Sequence, residues 1–333
     1  MPSAPTTAII GAGLSGLACA RALLSAGLPA RVFDKGRGPG GRLSTRRVGD
    51  WRFDHGGQYL TARDPAFRAV MNTLIRDGHA APWPGRLVRL HPDGRVEDSP
   101  GERFVGLPGM NGLVKALADG LDVTWSLRVS TAARTAAGWH LVAEDGTDLG
   151  TYDRLVVAVP SPQAMPFLEG AAPALAAQAA AATMAPCWTA MLALPPGPHP
   201  AWAGAFVAGA GGDDRPLSWL ARDGAKPGRG DLDTWVLHAA PAWSARHLEE
   251  TPEQVLPALL SAFRALTGLE AKPTYAAAHR WRYALPTAPL GSGYLLDWDL
   301  DLGACGDWCL EARGEAAWVS GHRLGQALAE AAR

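Results

Sequence analysis

The 333-residue chain is 47% hydrophobic and 19% charged, which excludes intrinsic disorder and leaves room for one large domain or two interleaved ones. A formal net charge of −1 excludes a chain-wide basic footprint for nucleic acid, and no run reaches the ~18 apolar residues of a membrane span. Four cysteines (Cys19, Cys187, Cys305, Cys309) are too few for a disulfide framework and fit a reducing cytoplasm. No second Cys/His pair accompanies Cys305 and Cys309, so no metal site is expected. The N-terminal residues carry no basic segment ahead of a long apolar run, so no signal peptide is expected either.

In chain order, a short buried strand is predicted at 8–10, then a glycine turn at 11–16, a helix over 17–26 and a second strand at 31–34. A glycine-rich loop, 36–41, follows. Further strands are expected at 121–125, 139–143 and 155–159, the last a nearly continuous apolar run suited to burial on both faces. The Ala-rich stretch 163–185 predicts one long crossover helix. From Trp188 to about Pro286, tryptophans, strand patterns and proline-rich loops alternate, as in a mostly antiparallel sheet with a helix near 252–266. The chain closes with a short strand ending at Asp307 and a helix over 314–332.

The strongest local signal is Gly11-x-Gly13-x-x-Gly16 between strand and helix. Gly11 permits the tight turn, Gly13 lets backbone approach a pyrophosphate, and Gly16 allows close helix–strand packing. The helix N-terminus offers free N–H donors to phosphate. Asp34 closes the second strand, where a carboxylate accepts from ribose hydroxyls. This pattern predicts dinucleotide binding without choosing between FAD and NAD. Gly38-Pro39-Gly40-Gly41-Arg42-Leu43-Ser44-Thr45-Arg46 makes the choice. It has the form of the GG-R-x-S/T element of a large flavoprotein group, with Arg42 a fixed cation near the diphosphate. Asp54-His55-Gly56-Gly57-Gln58-Tyr59 supplies a glycine pair whose N–H groups would approach the isoalloxazine edge. Asp307 would accept a ribityl hydroxyl, and the helix entered at Gly314-Glu315-Ala316-Ala317 would point at the flavin N1–C2=O.

These stretches together resemble the bacterial renalases. The resemblance runs through Phe33 to Arg42 and Phe53 to Asp64. It continues through Gly109-Met110-Asn111, Leu155 to Pro160, Ser218 to Arg222, Leu232 to Ala239, His279 to Ala284 and Cys305 to Cys309, and so spans nearly the whole chain. It implies an FAD oxidoreductase of the flavin amine oxidase superfamily, α/β in class and similar in fold to p-hydroxybenzoate hydroxylase. A discontinuous Rossmann-like FAD-binding domain (1–62, 108–162 and 286–333) would carry an inserted substrate domain with a mixed or antiparallel sheet (63–107 and 163–285). The implied reaction is oxidation of the 2- and 6-dihydro isomers of NAD(P) to NAD(P)+. Flavin N5 takes the hydride and O2 is reduced to hydrogen peroxide.

The expected contacts to non-covalent FAD are Gly11, Ala12, Gly13, Leu14, Ser15, Gly16, Asp34, Lys35, Gly41, Arg42, Gly56, Gly57, Val129, Asp307, Glu315 and Ala316. The expected substrate contacts are Gln58, Tyr59, Leu60, Thr61, Ala62, Cys187, Trp281, Tyr283 and Arg313. No side chain is assigned a catalytic role beyond the flavin. A substrate diphosphate would suit an arginine fork, with Arg313 favoured over Arg46, Arg63 and Arg282. His238 reads as a core histidine more readily than as a ligand contact. Two positions depart from the family: Cys187 stands where a hydroxyl residue is expected, and Leu60 where relatives often carry an aromatic.

A flavin amine oxidase is the first alternative, but Lys226 and Lys272 sit in no motif that places a lysine at flavin N5. A disulfide reductase is excluded. Only Cys19 lies in the first seventy residues, and Gly204, Gly209, Gly211 and Gly212 form no second dinucleotide turn. A flavin-binding sensor without turnover remains open. The reaction partners expected are a small dinucleotide and O2, with no nucleic acid and no membrane.

Overall fold

Thr7–Ile10 and Arg154–Val157 are neighbouring parallel strands in which every residue is buried. Burial on both faces is why residues 8–10 and 155–157 read as continuous apolar runs rather than an alternation. They centre a six-stranded sheet in the order Leu295–Asp297, Leu302–Ala304, Arg154–Val157, Thr7–Ile10, Ala30–Phe33, Asp122–Thr124. All pairings are parallel except that of the Leu295–Asp297 edge strand. The sheet thus draws on the beginning, the middle and the end of the chain. The structure, a computed structural model, describes residues 4–209, 215–230 and 232–332; Gly211 and Gly212 fall outside them.

Helix Leu14–Ser25 leaves the first strand through the glycine turn and packs along the C-terminal helix Gly314–Glu330. That approach needs small residues. A Cβ on Gly321 would lie 1.8 Å from Ser15 O, and one on Gly325 would lie 2.7 Å from Cys19 O. The same C-terminal helix holds Trp318 against Phe67 of helix Pro65–Arg76, at 5.2 Å between ring centroids. The sequence reading missed Pro65–Arg76, although Asp64 caps it by accepting from Ala66 N–H and Phe67 N–H.

The second large sheet has seven strands, ordered Tyr275–Ala288, Thr183–Ala193, Thr234–Ala239, Leu217–Arg222, Gly204–Val207, Leu87–Leu90, Val96–Asp98. It is antiparallel except where Gly204–Val207 meets Leu87–Leu90. Trp188, Trp235, Leu237 and Phe263 form the core beneath one face, where helix Pro252–Thr267 packs. That helix opens with a Thr251–Gln254 capping box and ends at Gly268 with φ 71°. The other face looks into the cleft described below. The Tyr275–Ala288 strand runs across the boundary drawn at 286.

The single helix expected at 163–185 is instead two, Ser161–Leu168 and Pro173–Ala181, followed directly by the eleven-residue strand Thr183–Ala193. Pro173 forces Ala172 out of the helical region (φ −134°, ψ 69°), which breaks the run. Alanine content hid the break.

Candidate active site

Residues from the loops of the first sheet and one face of the second line a cleft of about 1970 Å³. Ordinary ligand pockets span roughly 300–1,000 Å³, so this one has room for a dinucleotide and a second molecule.

The glycine turn lies at one end. Gly11 has φ +106°, and a Cβ there would sit 2.6 Å from Ala158 O; a Cβ on Gly16 would sit 1.9 Å from Gly11 O. Gly13 has nothing within 4 Å of its Cβ position and opens onto the cleft with Leu14 and Ser15. A Cβ on Gly41 would come 3.9 Å from Gly13 Cα, so the two glycine turns sit side by side as a bare backbone cradle. Asp34 closes it. Its Oδ2 accepts from Ala12 N–H and its Oδ1 from Gly36 N–H, both at 2.7 Å, and each oxygen retains a second lone pair. Lys35 lines the same end. The cradle fits a dinucleotide cofactor in shape and donor chemistry.

The expected contacts divide. Gly11, Gly13, Leu14, Ser15, Asp34, Lys35, Gly41, Arg42, Gly56, Gly57 and Asp307 line the cleft, as do Gln58, Tyr59, Leu60, Thr61, Ala62, Cys187, Trp281, Tyr283 and Arg313. Ala12, Gly16, Val129, Glu315 and Ala316 are not among the lining residues, and Gly16 instead serves the close packing of helix on turn. Val129 is buried in the core beside Phe33 and Trp139. The Glu315 carboxylate turns inward to accept from Arg63 N–H, Asp64 N–H and Thr61 Oγ1, so it braces the 61–64 loop. Both oxygens of Asp307 are engaged by Arg42 at 2.7 Å and Oδ1 also takes Trp308 N–H, so Asp307 is first a partner of Arg42, and Oδ2 keeps a second lone pair for a ribityl hydroxyl. The Gly56–Gly57 pair is needed for loop packing: a Cβ on Gly56 would meet Arg42 O at 2.0 Å, and Gly57 N–H already donates to that oxygen at 2.7 Å.

The face of the second sheet contributes a row that the sequence reading did not assemble. Trp219, His238, Thr189 and His279 are successive cross-strand partners on four strands, and all line the cleft. Trp219 Nε1 and His238 Nε2 are buried with no hydrogen-bond partner among the described residues. Burial, reinforced by the Lys226 charge, pushes His238 down to about 3. Burial and the nearby Arg46 likewise push His279 down to about 4; His55, buried beside His279 and Arg46, is also held at about 4. All three rings are therefore neutral at neutral pH. His238 is a cleft residue rather than the satisfied core histidine expected, and strand alternation was the available signal. In Thr234–Ala239, Trp235 and Leu237 enter the core while Val236 and His238 face the other way.

Trp281 donates from Nε1 to His55 O (2.8 Å) and stacks on the His55 ring at 5.2 Å. Burial drives the Cys187 thiol up to about 12, so it is no nucleophile; it donates weakly to Trp188 O and Ala239 O. Of the candidate arginines, Arg282 is held bidentately by Glu249 at 2.7 and 2.8 Å, and Arg313 pairs with Glu311 and Glu315. The Arg46 and Arg63 guanidinium groups have no acceptor among the described residues. In all, eleven Arg and Lys side chains line the cleft against three carboxylates, Asp34, Glu102 and Asp307.

Residues 9–74 match the NAD(P)-binding Rossmann-like domain, and residues 77–301 match the Flavin containing amine oxidoreductase family. Among solved structures, a candidate protoporphyrinogen oxidase from Exiguobacterium sp. 255-15 superposes with a TM-score of 0.80 at 12% identity, covering 99% of both chains. Putrescine oxidase bound to putrescine gives 0.70 at 14% identity over 99% of both chains. Reduced UDP-galactopyranose mutase gives 0.75 at 12% identity over 96% of this chain and 94% of the other. At these identities the likeness is one of fold.

Proposed function

The chain belongs to the Flavin containing amine oxidoreductase family, and from that premise we propose that it is an FAD-dependent oxidase of isomeric dihydronicotinamide dinucleotides, the 2- and 6-dihydro forms of NAD(P). A flavin goes with the family. FAD is our assignment, in a p-hydroxybenzoate hydroxylase-like arrangement of the two sheets. Attachment is non-covalent in this reading, because all four cysteines are buried with their thiols pushed up by burial. We place the protein in the cytoplasm on those four free thiols. Its partners are the dinucleotide and O2, without nucleic acid or membrane.

The observation that carries this reading is the charge of the cleft. An amine arrives as a cation, and eleven basic side chains outnumber the three lining carboxylates together with Glu249, Glu311 and Glu315, which pair Arg280, Arg282 and Arg313, so the excess disfavours it even after a cofactor diphosphate is bound. A substrate bearing its own diphosphate is drawn in. The neutral histidines agree. At about 3 to 4 they are weak bases, poorly suited to taking a proton from an ammonium group.

Bound FAD would supply hydride acceptance and reoxidation by O2 to hydrogen peroxide. The chain's own residues bind and orient. Tyr59, Trp281 and Tyr283 offer ring faces to a flat pyridine. Trp219 Nε1–H is free to donate to a ligand carbonyl, and the uncharged His238 can donate or accept beside it. Arg46 is free to meet phosphate.

Anaerobic mixing with 6-dihydroNAD is expected to bleach the flavin within seconds, while NADH, putrescine and benzylamine do so slowly. Fast bleaching by an amine overturns the reading. In air, continuous oxygen uptake with peroxide release separates turnover from the single reduction of a flavin-binding sensor.

A further inference from the structure

Four charged side chains lie buried behind the cleft wall rather than in it. Asp54, Asp223, Lys226 and Arg229 are each at most 5% exposed. Arg229 Nη2 lies 2.6 Å from Asp54 Oδ2, and Lys226 Nζ lies 2.5 Å from Asp223 Oδ1, so each carboxylate has its own cation. The two pairs interlock: Lys226 Nζ also reaches Asp54 Oδ2 at 3.2 Å, and Asp54 N–H donates to Asp223 Oδ2 at 3.0 Å. Thr45 Oγ1 and Met110 N–H complete Asp54 Oδ1. Charge balance is satisfied within the group, and apolar residues could fill such a volume with no loss of stability. What an ion group adds is direction.

One bond leaves the group for the cleft. Lys226 Nζ donates to Gln58 Oε1 at 3.2 Å. With Oε1 committed to an ammonium, the Gln58 amide nitrogen faces Asp54 O and Gly56 O, to which it donates. The flipped amide would set NH2 against NH3+. Gly56 and Gly57 are in turn fitted against Arg42 O, where Gly57 N–H donates. Lys226 therefore reaches, through a single carboxamide, the backbone that forms the middle of the cleft wall.

We propose that Lys226 is a positioning residue for the flavin: acting through Gln58, it holds segment 56–58 against the Arg42 turn in the conformation that binds the cofactor. The role is independent of which substrate is oxidised. Gln58→Leu removes the carboxamide and leaves all four charges in place. It is expected to raise the Kd for FAD about tenfold, the loss of a hydrogen bond to a charged group, with an apoprotein melting temperature close to wild type. Lys226→Met is expected to raise it by a similar factor. Both are expected to shift the flavin absorption bands in the same direction, and the double variant to go no further than the weaker single. Where Lys226→Met does not fold, the charge-balanced D223N/K226M variant takes its place. Wild-type FAD affinity with unshifted bands in either single variant overturns the proposal. So do effects that multiply in the double variant to about a hundredfold, the mark of independent sites.

Discussion

Arg42 and Asp307, 265 residues apart in sequence, are joined by two parallel N–H···O bonds of 2.7 Å. The Arg42 Nη1 also donates to Ala284 O at 3.2 Å. One guanidinium thus ties the second glycine turn to the approach to the C-terminal helix and to the edge strand of the substrate-facing sheet. The planar fork matters, because a lysine offers no bidentate geometry. Arg42→Met leaves a nearly buried carboxylate unpaired, a loss of about 1–3 kcal/mol. The expected outcome is a melting temperature lower by several degrees and flavin lost on dialysis, with Asp307→Asn milder in both. Yellow Arg42→Met protein of unchanged melting temperature contradicts this account.

Much of this arrangement was legible in the sequence, and the reason is local. The turn at Gly11 to Gly16, the acid at Asp34 and the glycines at 40–41 and 56–57 are constraints on backbone shape that only a few residue types meet. Arg42 and Asp307 were each picked out, but their pairing was not, because a contact across 265 residues leaves no trace in spacing. The polar row Trp219, His238, Thr189 and His279 was hidden for the same reason: each strand's alternation can be read, but the register between strands cannot. Lys226 sits in no recognisable motif; Asp223 is three residues away in the same turn, but Asp54 and Gln58 come from a distant segment and spacing does not show them. The side-chain role of Glu315 is hidden in a different way. An acid in a helix's first turn suits the helix dipole, yet this one faces inward to hold residues 61–64.

The buried histidines give stability a pH dependence whose sign can be worked out. His238 has its folded pKa depressed from 6.5 to about 3 by burial and then by Lys226. Above pH 6.5 the ring is neutral in both folded and unfolded chains, and stability is full. Below 6.5 the unfolded chain takes up the proton first, so stability falls until the folded ring also protonates near pH 3. His238 alone would remove on the order of 4 kcal/mol across that window. His55, held at about 4, acts in the same direction. Asp54, which its two cations hold at about 2 against the upward push of burial, acts likewise at more acid pH. Melting temperature is expected to fall steeply between pH 6.5 and 4, and more gently in His238→Leu. Parallel profiles for the two proteins would contradict the placement of that ring.

Arg46, beside His55 and His279, has no acceptor among the described residues, whereas Arg282 and Arg313 are paired. Under the proposed function it takes a substrate phosphate. Arg46→Met is expected to raise KM for the 6-dihydro dinucleotide and mononucleotide about tenfold, the loss of a charge-assisted hydrogen bond, and to leave the phosphate-free riboside unaffected. An equal loss for the riboside would place Arg46 elsewhere in the mechanism. Failure of all three compounds to reduce wild-type flavin would instead remove the proposed substrate class.

Gly56 and Gly38 test whether the bare backbone of the cleft is a packing requirement or an accident of composition. A Cβ on Gly56 would lie 2.0 Å from Arg42 O and 2.8 Å from Arg42 C, and backbone cannot swing aside as a side chain can. Relief requires parting the 56–58 segment from the Arg42 turn, which breaks the Gly57 N–H bond to Arg42 O and moves the Arg42–Asp307 pair with it. A Cβ on Gly38 meets nothing within 4 Å. Gly56→Ala is therefore expected to fall in the strongly destabilised class, at about 3 kcal/mol or more, and to purify without flavin. Gly38→Ala is expected to melt within about a degree of wild type, as surface changes do. Thermal scans and the visible absorbance of bound flavin read both outcomes. A yellow, wild-type-like Gly56→Ala protein would mean that the loop and the turn are not in contact.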